Sequence, residues 1–75
     1  MTFRVIRKIA VLQEYELGGT LELNIVQWFS NPPKFDLRYW MGEEPGRGMT
    51  LEYSSAEELC SALHLALEIY KDDVI

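Results

Sequence analysis

The residues whose types and spacing could do chemistry lie between Trp28 and Arg47. Lys34, Asp36, Arg38 and Trp40 recur at every second position, with Phe35, Leu37 and Tyr39 between them. A strand has a period of two, so these sets point to opposite sides of a sheet. The expected arrangement is a core face of Phe35, Leu37 and Tyr39, and a solvated face carrying two cations, a carboxylate and an indole. An aromatic ring among cations on open sheet suits one chemistry: unpaired bases stack on the ring while cations neutralise the backbone phosphates. Such stacking is worth about 1–3 kcal/mol per base. On this basis Trp40 is a free platform, removable with little change in fold. Trp28 and Arg47 are further candidates, and Lys8 and Arg4 are secondary ones, since strand cations often serve only to block edge pairing. Asp36 is placed to orient Arg38. The plain structural alternative pairs Arg38 across the sheet with Glu22 or Glu52.

Other reactive residues form no constellation. His64 and Cys60 are the single histidine and cysteine. They exclude an internal disulfide and leave too few ligands for a Cys/His metal site. Gly46-Arg47-Gly48 lacks the spacing and the Lys-Ser/Thr of a nucleotide-binding loop. Glu43-Glu44 and Asp72-Asp73 fall in a connection and a tail, where carboxylates are solvated, whereas acid–base groups need an enclosed site. No catalytic residue, metal or cofactor is expected, and the chain is not read as an enzyme.

The elements that must position these residues follow from pattern. Residues 3–15 are rich in aliphatic and β-branched types but keep no single parity, so a bulge or bend is expected in a first strand. Gly18-Gly19 marks a hairpin. Leu21, Leu23, Ile25 and Phe29 then alternate with Glu22, Asn24, Val26 and Trp28 as a second strand, stopped by Pro32-Pro33. The third strand is Lys34–Trp40. A glycine-rich connection leads to a short fourth, about Gly48–Tyr53. Ser55 and Glu58 fit a capping box, which predicts a helix over 55–71. Its apolar arc, from Leu59 and Cys60 through Leu63 and Leu67 to Tyr70, spans roughly 220° at 100° per residue. One sheet requires a stripe only somewhat over 100° wide. The surplus predicts a second contact, most simply the same helix of another copy. The fold expected is α+β, a four-stranded antiparallel sheet followed by a C-terminal helix (β-β-β-β-α), one domain over 1–75, homodimeric through its helices.

Bulk properties bound the partners. The chain has 75 residues and a net charge of −5, which argues against a nonspecific binder of duplex DNA. The charge is uneven. Residues 1–53 hold six cations against seven acidic residues, while 54–75 hold Lys71 against five. No apolar run is long enough to cross a bilayer, and Arg4, Arg7 and Lys8 alternate with apolar residues in a way foreign to a signal peptide. A cytoplasmic place is expected, nucleoid-associated in a bacterium, with no membrane partner.

Asp36-Leu37-Arg38-Tyr39-Trp40-Met41, then Pro45-Gly46-Arg47-Gly48-Met49-Thr50-Leu51, then a helix, resembles the single-stranded-DNA-binding domain of the transcriptional coactivator positive cofactor 4 family. The likeness extends to its short bacterial members of the YdbC type, through Leu23-Asn24, Trp28 and Pro33-Lys34-Phe35-Asp36. The resemblance implies a homodimer that pairs its helices and presents curved sheets to single strands in transcription, replication or repair. Position by position, it implies that Trp40 stacks bases, that Arg38 stands beside it, and that Arg47 is the basic residue entering the last strand. Lys34 and Trp28 match positions of the bacterial type. The family usually sets a second cation beside Arg47, where this chain has Gly48. The expected function is sequence-independent binding of single-stranded DNA or RNA, by cationic backbone contacts and stacking. The alternative is a dimeric protein-interaction module of the same fold, acting with the transcription machinery.

Overall fold

A computed structural model describes residues 2–75. The chain forms β1 (Phe3–Glu14), β2 (Thr20–Trp28), β3 (Lys34–Met41), β4 (Glu44–Leu51) and α1 (Tyr53–Asp73). The strands make one antiparallel sheet in the order β1-β2-β3-β4. The expected β-β-β-β-α architecture is therefore present. The β1–β2 turn closes with Tyr15 N–H on Gly19 O at 3.1 Å, and Gly18 and Gly19 supply its positive φ.

The mixed parity of β1 resolves into three register shifts against β2, between Val5 and Arg7, Lys8 and Ala10, and Val11 and Gln13. Bulges bend a strand and increase its twist. The consequence is a sheet coiled far enough to bring opposite corners together. Phe3 pairs with Trp28 at one end of β2, and Trp40 pairs with Thr20 at the other. Their partners stand eight residues apart along β2, yet the rings of Phe3 and Trp40 lie 5.8 Å apart, centroid to centroid.

This coiling reverses the expected faces. Among the described residues, Val26, Asn24, Asp36 and Trp40 are the buried ones. The register Thr20↔Trp40, Asn24↔Asp36 and Val26↔Lys34 puts all four on the face expected to be solvated. That face is concave and closes on itself. Phe35 and Leu37, expected in the core, are only half-buried on the convex face, and Tyr39 is exposed.

Two boundaries also move. β4 starts at Glu44 after a two-residue turn, Gly42-Glu43, instead of at Gly48. Pro45 is tolerated because β4 is an edge strand. α1 starts at Tyr53, with Glu52 as N-cap and no side-chain cap bond, so the Ser55–Glu58 box is not made. The ring of Tyr53 packs 6.1 Å from that of Phe35, and Ala56 N–H bonds Glu52 O at 2.9 Å. The helix thus leaves β4 almost without a loop.

The single chain is not compact. Its radius of gyration is 14.2 Å, against about 11 Å for a globular chain of this length. Its accessible surface is 6209 Å², against about 4,700 Å² for a folded monomer of its mass. The cause is α1, which meets only β3 and β4 among the described residues and buries none of its own. Leu63, Leu65, Leu67, Ile69 and Tyr70 are all exposed. Among the described residues, no helix is long and apolar enough to cross a membrane.

Gly48 has no room for a side chain. A Cβ there would stand 2.3 Å from Arg38 Cβ and 2.5 Å from Leu37 O. The chain thus brings bare backbone against Arg38. Gly48→Ala is expected to cost about 1–3 kcal/mol by overpacking, read as a lower midpoint in urea unfolding.

Candidate nucleic-acid interface

Strand periodicity places Asp36, Arg38 and Trp40 on the concave side of β3, and the end of β2 brings Trp28 onto Asp36 and Arg38. Asp36 is 0% exposed. Its carboxylate accepts three hydrogen bonds, each 2.9 Å long. Arg38 Nε donates to Oδ1, and Arg38 Nη2 and Trp28 Nε1 both donate to Oδ2. Arg38 Nη1 donates to Gly46 O at 2.9 Å, tying β3 to β4. The guanidinium carbon lies 4.7 Å from the centre of the Trp28 ring, a cation–π distance. The Trp28 ring also lies near that of Phe3, 5.1 Å between centroids and tilted by 36°. Asp36, Arg38, Trp28 and Phe3 form one connected cluster.

These contacts change what Arg38 can do. Its side chain is 14% exposed and its charge is paired with Asp36. A guanidinium has five N–H donors in a fixed fork. The bonds to Asp36 and Gly46 use three, leaving two as positioned donors. They border a groove of about 320 Å³ lined in part by Trp28, Phe29, Pro32, Lys34 and Thr50. Lys34 Nζ contacts Glu52 Oε1 at 3.0 Å, with both side chains well solvated. Such surface pairs contribute about 0–1 kcal/mol, so an incoming anion readily competes.

Trp40 is not the open platform expected. It is 6% exposed, and its indole N–H is buried without a hydrogen-bond partner among the described residues. It lines a separate hollow of about 520 Å³, together with Phe3, Val5, Lys8 and the carboxylates Glu22, Glu43 and Glu44. Lys8 is thus concave but outnumbered by acids. The hydrogen bond from Thr20 Oγ1 is the largest cause holding the Glu22 carboxyl below its ordinary range, aided by Asn24 and Lys8 and opposed by partial burial. Asn24 also accepts from Ile9 N–H at 3.3 Å, satisfying a backbone donor where β1 slips register.

The remaining cations are dispersed. Arg4 donates to Gln27 Oε1 at 3.2 Å and pairs with it on the convex face. Arg47 is exposed in the β4 bulge opposite Tyr39. The structure therefore brings Trp28, Lys34 and Arg38 to one groove, sets Trp40 with Lys8 in an acidic hollow, and leaves Arg4 and Arg47 outside both. Sequence reading missed Phe29, which leaves the β2 alternation and enters the following turn with φ 56. The nearby Ser30-Asn31-Pro32 was the available signal.

Truncating Asp36 strands a buried guanidinium and the Trp28 N–H. Asp36→Ala is expected to lose about 3–5 kcal/mol, and Asp36→Asn less, in chemical unfolding. Because the folded value of Glu22 lies below its ordinary one, its contribution is present above that ordinary value and is lost as pH falls through the lowered folded value. Glu22→Gln should flatten the loss of stability below about pH 4.3, measured as melting temperature against pH. Trp40→Ala is expected to open a cavity and cost about 3–5 kcal/mol of stability, contrary to a platform role. No protein-family model and no curated protein matches the chain.

Proposed function

We propose that this protein binds single-stranded DNA or RNA without sequence preference, as a homodimer, in a cytoplasmic role in transcription, replication or repair. The observation that carries this reading is the groove at the β2 end of the concave face. There the Trp28 indole, the two spare donors of Arg38 and the weakly held Lys34 border one space of about 320 Å³. Aromatic faces with adjacent cations track an unpaired strand, because stacking tolerates every base and cations release counterions from the backbone. The likeness to the positive cofactor 4 family at Lys34, Asp36, Arg38 and Trp40 supports the same reading. Within it, Trp40 shapes the hollow and Trp28 meets the ligand.

The homodimer is supported by surface. Beyond the roughly 4,700 Å² of a compact monomer, the 6209 Å² measured leaves an excess of roughly 1,500 Å² per chain. Two copies covering that excess would bury an area typical of obligate homodimers. The exposed apolar face of α1 is the surface they would cover.

A second reading, a dimeric protein-interaction module, is favoured by one specific observation. Asp36 neutralises Arg38 and Glu52 pairs Lys34, so the concave face carries no continuous positive stripe.

A fluorescence-anisotropy titration with labelled oligo-dT separates the two. Single-strand binding should weaken as salt rises, and duplex of equal length should bind much more weakly. Lys34→Gln should reduce the salt slope by about 0.7, the value for one contact on a single strand. Absence of binding at low salt would favour the protein-interaction reading. Sedimentation should give a dimer.

A further inference from the structure

We infer that Phe29 is a base-stacking residue: an unpaired base lies on its ring while the adjoining phosphate reaches Lys34. This rests on the single-strand reading and adds to it a residue that the strand pattern did not single out.

The turn after β2 runs Trp28-Phe29-Ser30-Asn31 and closes with Asn31 N–H on Trp28 O at 3.1 Å. Phe29 is the one non-glycine residue with positive φ among the described residues, at 56°. Positive φ at the first central position alone is the pattern of a type II′ turn, where glycine is the usual occupant. For a bulky side chain this conformation is an outlier. It is held in place because Phe29 N–H also bonds Thr2 O at 2.8 Å, extending the β1–β2 ladder.

Nothing in the fold explains the side chain. Phe29 is 60% exposed as a residue, so burial does not offset the strain. A strained aromatic held out to solvent belongs to the class of features that cluster at ligand sites. Its surroundings name the ligand. Phe29 lines the same groove as Trp28, Lys34 and Arg38, with Pro32 and Pro45 as further walls. An aromatic face next to an ammonium and spare guanidinium donors matches a base joined to its phosphate.

Phe29→Gly removes the ring and relaxes the backbone at once. The variant should melt at the same or a higher temperature, yet bind oligo-dT roughly 5- to 150-fold more weakly, the loss of one stacked base. Phe29→Leu should keep the strain and still lose most of the affinity. Oligo-dT bearing 5-iodouracil should crosslink to Phe29 under ultraviolet light. If the unaltered protein binds and Phe29→Gly binds within twofold of it, this inference falls and the single-strand reading stands. If the unaltered protein does not bind, both fall. If Phe29→Gly changes the mass in sedimentation while affinity per dimer is unchanged, the ring belongs to a subunit contact and the inference is overturned.

Discussion

The concave face depends on the Asp36 carboxylate. A fully buried acid with three donors arranged around it is costly to desolvate and costly to disturb. It fixes Arg38 in one rotamer through a two-point fork and orients Trp28 through its indole N–H. Arg38 in turn spans to Gly46 on the next strand, and Gly48 must lack a side chain to admit it. Through Arg38 and Trp28, one buried charge therefore ties side chains of β2 and β3 to the backbone of β4. The guanidinium is held by Asp36 and Gly46 and keeps two positioned N–H donors.

The coiling of the sheet has its origin in β1. Twelve residues of β1 run beside nine of β2, and the surplus is absorbed in three register shifts. The resulting twist folds Phe3 toward Trp40 and buries the polar side of the sheet. The apolar side is only half-buried, and α1 meets it only at β3 and β4, with every helix residue partly or fully exposed. A chain this small has little core of its own. Within the single chain the inner face closes on itself, while the outer face of the sheet and α1 stay largely exposed.

Much of this was legible in the residues. Alternation located β2 and β3, Gly18-Gly19 the first hairpin, and the broken parity of residues 3–15 the bulged strand. The pairing of Asp36 with Arg38 followed from their two-residue spacing. Period two separates the faces of a strand but carries no information on which face curls closed, so Trp40 and Asp36 were expected in solvent. That choice is made by bulges acting across three strands. The helix start escaped for a similar reason: Tyr53 is drawn into α1 beside Phe35, a tertiary contact that overrides the local Ser55–Glu58 signal. Phe29 continued the alternation of β2 in sequence and left it only because the turn forces φ to 56°.

The proposed single-strand binding puts the ligand on the concave face, at the β2 end. The most direct test is a two-dimensional ¹H–¹⁵N NMR titration of the labelled protein with oligo-dT, following the indole N–H of Trp28, the Nε–H of Arg38 and the backbone amides. The account predicts the largest shifts at Trp28, Arg38, Lys34 and the turn after β2, with the outer face of the sheet and α1 nearly unchanged. Shifts confined to α1 or the convex face, with the Trp28 and Arg38 signals unmoved, would contradict it.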